Sequence, residues 1–330
     1  MIIGIFQTHN FEKPFLEAAC ANYHFQVKFF TARLDQDSVA MAKNCDVICC
    51  FANDDLNKEV IKSLHDLGVK LIATRSAGFN HIDISAAKEF KIPVVRVPEY
   101  SPYAVAEHAV ALMLSLNRKI PQAYLRVKEL NFTLDGLVGF DLHGKTVGVI
   151  GVGRIGKTFA KIMNGFGAIV LGYDIQKDED LERTGVLKFV ELERLFKESD
   201  IISLHVPLNA QTKHLINQNT IQMMKSAVMI INTGRGGLID TTALIEALKK
   251  KKIGSAGLDV YEEEEGVFFE DLSCLGIEDD KLARLLTFPN VLITSHQGFL
   301  TAEALSNIAQ TTFQNIADFG AGRELVNKVI

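Results

Sequence analysis

Three polar residues follow apolar runs of the kind that form buried strands: Arg235 in NTGRGG, Glu264 in LDVYEEEEG and His296 in ITSHQGF. A guanidinium is a planar fork that pairs with two oxygens at once, which suits a carboxylate and a neighbouring carbonyl. An imidazole titrates near neutral pH and can pass a proton to a developing alkoxide. A carboxylate bonded to the second ring nitrogen would favour the charged ring and fix its orientation. The trio therefore fits reduction of a 2-keto acid, with Arg235 polarising the substrate and His296, oriented by Glu264, supplying the proton. Taken singly, each also fits a plainer role. Arg235 could cap a helix, Glu264 lies in the acidic run 262–265, and His296 could be a satisfied interior histidine. Among the other histidines, His205 sits at a strand end in SLHVP, His108 in a helix and His81 in a loop; His205 reads as packing or as the rim of a cofactor site.

Such a reduction needs a hydride donor, and the sequence carries the loop for one. GVGRIG places Gly151, Gly153 and Gly156 directly after the strand pattern KTVGVI and before the helical pattern of Ile155, Phe159 and Ile162. Gly151 permits the tight turn, Gly153 lets backbone approach a pyrophosphate, and Gly156 lets helix and strand pack closely. Eighteen residues past Gly156 the run IVLGYD ends in Asp174. A carboxylate there accepts the ribose hydroxyls of NAD and repels a 2′-phosphate, so NAD is the expected cofactor. The opening turn QTHNFEKP contains no glycine, so only the later part of the chain is expected to hold nucleotide.

These residues must be positioned by two βα series. Apolar runs at 2–6, 27–30, 46–51, 69–74 and 93–97 alternate with helical patterns, and a second series has runs at 145–151, 169–174, 200–207, 228–234, 253–260 and 290–296. Near-continuous apolar strands belong to parallel sheets covered on both faces. Between the series, AVAEHAVALMLSLNRKI repeats apolar residues at helical spacing behind a Ser-Pro start and reads as one long helix. The fold class expected is α/β: two doubly wound, Rossmann-like parallel-sheet domains with the active site in the cleft between them. Residues 1–100 plus 299–330 are expected to form a flavodoxin-like substrate domain, the last helical stretch packing back on the first unit. Residues 101–298 would form the NAD-binding domain, with the hinge near Tyr100 and Gly298.

Composition excludes several other classes. The chain has 330 residues, 48% of them hydrophobic, with a formal charge of −5, lacking the basic excess of a nucleic-acid binder. Its densest basic run, Lys249–Lys252, falls where a helix C-terminus leaves carbonyls unpaired. Five cysteines form no CxxC pair, so no disulfide framework and no metal site are expected, and a reducing cytoplasm is. No basic leader precedes the apolar start, and no uncharged stretch reaches about 18 residues, so neither export nor a membrane span is expected.

Six ordered blocks, YSPYAVAEHAVALMLSLNR, GKTVGVIGVGRIG, DIISLHVPL, MIINTGRGGLID, GLDVYEEE and TFPNVLITSHQGFLTAEAL, resemble the D-isomer-specific 2-hydroxyacid dehydrogenases nearly end to end. The likeness is greatest to the fermentative bacterial branch that interconverts pyruvate and D-lactate. The resemblance implies the catalytic roles given above for Arg235, Glu264 and His296. It further implies that the backbone at Ala77 and Gly78 receives the substrate carboxylate, with Tyr100 and Phe299 flanking a small methyl pocket. Cofactor contacts carried over are Arg154 and Ile155 at the pyrophosphate, Val206 and Pro207 near the adenosine, Thr233 and Gly234 with Arg235, and Asp259 near the nicotinamide carboxamide. Asp259 could equally cap a strand end. Homodimers, or higher homo-oligomers, joined through the nucleotide domain are implied, with the helix after Ser101 at the interface. One departure is Gly298, where relatives often carry alanine. Open alternatives are a bulkier acid, such as 2-ketoisocaproate, phenylpyruvate or hydroxypyruvate, and an NAD-sensing binding protein or corepressor built on the same fold.

Overall fold

The computed structural model describes residues 1–330, which divide into two compact units, Met1–Ser101 with Phe299–Ile330, and Pro102–Gly298. Unit 1 is built on five parallel strands, β1 (Ile2–Ile5), β2 (Gln26–Phe29), β3 (Val47–Cys50), β4 (Leu71–Thr74) and β5 (Val94–Val95), in the order β2-β1-β3-β4-β5. Side chains alternate across a strand, so both faces of this sheet need cover. Ile48 and Cys50 pack with Leu56, Ile61 and Leu64 on one side. Ile3, Ile5, Val47 and Leu71 pack with Leu16, Phe313 and Ile316 on the other. The last two come from the final helix, Ala302–Gly320, whose Thr301 side chain accepts from the amide of Ala304 at 3.2 Å and so caps it. Its apolar residues Ala309, Phe313 and Ile316 form the stripe laid on the sheet.

Unit 2 contains seven parallel strands: β6 (Thr146–Ile150), β7 (Ile169–Tyr173), β8 (Lys188–Phe189), β9 (Ile201–Leu204), β10 (Val228–Asn232), β11 (Ile253–Leu258) and β12 (Val291–Ile293). Their order is β12-β11-β10-β9-β6-β7-β8. The chain thus winds outward from β6 to β8, crosses back to β9, and continues to the other edge. Loops after β6 and β9 emerge side by side at this switch point, where open α/β sheets take their ligands.

The two-sheet α/β architecture is the one the apolar pattern implies, with two differences of detail. The expected long helix after Ser101 ends at Asn117, Lys119 turns left-handed at φ 50°, and a second helix covers Ile120–Lys128. Pro121 explains the break: it has no N–H for the carbonyl four residues back, and its ring collides with that carbonyl. It is tolerated in the first turn of the new helix instead. The two-residue strand β8 is not among the apolar runs read from sequence.

Candidate active site

Beyond β6 the chain enters the glycine turn. Gly151 has φ +91°, and a Cβ placed on it would lie 2.6 Å from the carbonyl carbon of His205 and 2.7 Å from the amide of Val206. The turn therefore lies directly on the segment that follows β9, bringing Val206 and the exposed Pro207 to the glycines. A Cβ on Gly156 would sit 1.9 Å from the carbonyl oxygen of Gly151, so only glycine lets the helix Arg154–Gly165 start so close to the turn. Gly153, the residue before that helix, provides no side-chain cap, and nothing lies within 4 Å of where its Cβ would be. The helix thus begins without a side-chain cap at its positive end, beside open space at Gly153.

Asp174, just past β7, accepts hydrogen bonds from the amides of Val152 (2.6 Å) and Gln176 (2.9 Å). Both bonds leave lone pairs free and hold the carboxylate beside the glycine turn. The hydroxyl of Thr233, just past β10, is buried and has no partner within the fold. An open helix N-terminus, a close-approach glycine, a pinned carboxylate and an orphaned buried hydroxyl fit a dinucleotide. His205, by contrast, is committed to packing. It bonds with Ser203 Oγ at 2.9 Å, its ring lies 5.1 Å from that of Phe159, and burial pushes its imidazole down to about 4, so it is neutral at ordinary pH.

The expected catalytic trio lies entirely within unit 2. Arg235 follows β10 in extended conformation, and its Nη1 donates to the carbonyl of Gly234 at 2.7 Å. The loop is braced by the buried Asn232, whose Nδ2 donates to the carbonyl of Arg235 (2.9 Å) and whose Oδ1 accepts from the amide of Gly234 (3.1 Å). Glu264 and His296 meet: Nδ1 of the imidazole lies 2.9 Å from Glu264 Oε1, while Oε2 accepts from the amide of Tyr261 at 3.1 Å. With Nδ1 engaged by the carboxylate, Nε2 is the nitrogen left for a substrate.

His296 itself has φ +49°, a conformation uncommon outside glycine. Asp259, buried at the end of β11, holds it there. Its carbonyl accepts the amide of His296 at 2.7 Å. Its carboxylate accepts the hydroxyl of Thr294 (2.5 Å) and the amides of Gln297 (2.9 Å) and Gly298 (2.8 Å), and lies 3.2 Å from His108 Nε2. The carboxylate expected near the nicotinamide is thus committed to the loop carrying the histidine. Asn232, Thr294 and this work of Asp259 and His108 were not read from sequence; the polar residues ending β10, β11 and β12 were the only signal.

Unit 1 carries the expected substrate residues. Ala77 and Gly78 follow β4; their carbonyls accept from Arg96 Nη1 (3.0 Å) and Ser76 Oγ (2.6 Å), while their amides carry no hydrogen bond in the fold. Phe299 has ring contacts with Tyr100 (6.4 Å), Phe11 (6.2 Å) and Phe51 (6.3 Å), the last two unforeseen in sequence. Beneath them Arg75 and Glu12 form a fully buried pair at 2.8 and 3.0 Å, and Arg75 Nη2 also donates to the carbonyl of Phe6. This pair ties the loop after β1 to the loop after β4.

The family model for the D-isomer specific 2-hydroxyacid dehydrogenase NAD-binding domain matches residues 110–298. A D-lactate dehydrogenase of Escherichia coli K12 is 46% identical over 330 residues, covering 100% of both chains. The apo structure of D-lactate dehydrogenase from E. coli superposes with a TM-score of 0.92, at 44% identity and 100% coverage of each chain. The pyruvate reductase of Chlamydomonas reinhardtii gives a TM-score of 0.94 at 45% identity, covering 99% of this chain and 98% of its own.

Proposed function

The chain belongs to the D-isomer specific 2-hydroxyacid dehydrogenase family, and from that premise we propose that it reduces pyruvate to D-lactate with NADH. The observation that carries the mechanism is the 2.9 Å contact between His296 Nδ1 and Glu264 Oε1. It fixes one ring nitrogen and leaves Nε2 to give its proton to the substrate oxygen. Bound NADH would supply the hydride that reduces C2. Arg235 draws charge toward the keto oxygen, which makes C2 more electrophilic and stabilises the developing alkoxide. His296 then protonates that oxygen, while Glu264 keeps hold of Nδ1 on the other side of the ring. We assign the amides of Ala77 and Gly78 to the substrate carboxylate, and Tyr100 and Phe299 to its methyl group.

For the cofactor, Gly151, Gly153 and Gly156, with Arg154 and Ile155 opening the helix, receive the pyrophosphate. Val206, Pro207, Thr233 and Gly234 border the nucleotide, and Asp174 takes the ribose hydroxyls. Asp259 acts on this site through the loop of His296. We further propose a homodimer formed through unit 2. Helix 102–117 buries Ala106, Ala109, Leu112 and Met113 within its own unit, so the uncovered apolar surface lies farther along, on helix 120–128 and the segment after it. No helix is long and apolar enough to cross a membrane, and five free thiols fit a reducing cytoplasm.

The test is a panel of keto acids assayed by NADH consumption. The highest kcat/KM should belong to pyruvate, with NADH strongly preferred over NADPH. His296→Ala should lower kcat by about 10²-fold or more while leaving NADH affinity near that of the parent. Faster turnover of 2-ketoisocaproate, phenylpyruvate or hydroxypyruvate would reassign the substrate. Absence of turnover with every acid would favour a nucleotide-sensing role instead.

A further inference from the structure

Phe269 is one of ten non-glycine residues with positive φ; its value, +69°, is the largest of them, and it lies against another, His296 at +49°. A bulky aromatic in the left-handed region is strained by about 1 kcal/mol or more, and such strain persists where the surroundings impose it, often at functional sites. The surroundings here are specific. The carbonyl of Glu264 accepts the amides of Val267 (3.2 Å) and Phe268 (3.0 Å), closing a tight turn that starts at the carboxylate residue. At the end of that turn the amide of Phe269 donates to Ser295 Oγ at 3.3 Å. Its ring lies 6.2 Å from the His296 imidazole, the two planes tilted by 31°. Hydrophobic anchoring of the turn is supplied by the neighbour Phe268, only 5% exposed in the core of unit 2. The strained residue is the one beside the imidazole.

We propose that Phe269 is a positioning residue for His296. One short segment grips the imidazole twice: Glu264 at its start holds Nδ1, and the Phe269 ring at its end holds the ring plane, so that Nε2 keeps its aim at the substrate oxygen. The idea rests on the reading of His296 as the proton donor.

The experiment compares the parent enzyme with F269A, F269G, F269Y and H296A, using pyruvate and NADH. It measures single-turnover rates, KM for each substrate, and solvent and NADH deuterium isotope effects. A misdirected proton donor predicts that F269A loses about tenfold in single-turnover rate, with KM for NADH within about twofold, since small misplacements at a reacting centre are costly. The solvent isotope effect should rise and the NADH isotope effect fall, as proton delivery becomes limiting. F269G accepts the backbone conformation without strain but has no ring. It should be as slow as F269A although thermally more stable, while F269Y should retain the parent rate. An F269A or F269G enzyme of parental rate, or an F269Y enzyme as slow as F269A, overturns the proposal. So does a loss confined to NADH affinity. If the parent turns over no keto acid, or H296A stays active, the underlying reading fails and the proposal with it. A dead H296A beside a normal F269A removes Phe269 alone.

Discussion

Within unit 2, Arg235 spends a single N–H on the carbonyl of Gly234, so most of its fork remains for a ligand. A lysine at that place would keep the charge but lose the planar pairing with two oxygens. Arg235→Lys should therefore lower kcat/KM for pyruvate by about 10- to 100-fold, the worth of one charge-assisted hydrogen bond. Affinity for NADH, read by fluorescence titration, should barely move; an equal loss in both would mean that Arg235 serves the nucleotide. Arg235, Glu264 and His296 were conspicuous in sequence as candidates because their types are out of place after buried strands. Their supports were not. Thr294 bonds Asp259 across 35 residues of sequence and His108 across 186, and no local pattern announces a contact made only when distant strands and a helix come together. Asp259 looked like a cofactor ligand or a strand cap, and only its hydrogen bonds show that it clamps the histidine loop.

Most strands were legible as apolar runs. Strands of four to six residues such as β3, β4, β6 and β11 show as apolar runs because both faces of each sheet are covered. The two-residue β8 was missed, whereas the equally short β5 lies inside the run 93–97. Turns are more demanding, since a glycine can be needed for conformation, for space or for a ligand, and sequence does not distinguish these. Two glycines separate the cases. A Cβ on Gly236 would lie 2.0 Å from the backbone of Tyr261, so the turn following Arg235 rests directly on the segment leading to Glu264. Gly153 has open space around it. Gly236→Ala must push these two loops apart, costing about 2–4 kcal/mol and lowering both Tm and kcat. Gly153→Ala should leave Tm unchanged, because the added methyl meets nothing in the fold, yet weaken NADH binding by obstructing the pyrophosphate. Calorimetry and NADH titration of both variants check the pair, and a destabilised G153A with normal NADH affinity would show that its glycine is structural.

Unit 2 leaves apolar surface uncovered. Helix 120–128 has no buried residue and exposes Ile120, Tyr124, Leu125 and Val127, and the segment after it exposes Leu130 (78%), Phe132 (69%), Leu134 (77%) and Val138 (84%). Single exposed apolar residues are ordinary, but a contiguous set within twenty residues is the mark of an interface. The segment is not loose: Asn117 Nδ2 donates to the carbonyl of Phe140 and Oδ1 accepts its amide, both at 2.8 Å, and Arg126 Nη1 donates to the carbonyl of Asp135. A presented, tethered apolar strip needs a partner whose own apolar surface matches it, and a second copy of the chain meets that condition by symmetry, each strip facing its equivalent. Paired charges on the strip would be buried without counterions, so F132E together with L134E should give a species of 36.5 kDa where the parent sediments at twice that mass. The double variant should keep its own fold, because neither side chain belongs to the core of unit 2. A parent that sediments as a monomer, or a charged variant that stays dimeric, would show that some other surface or partner covers the strip.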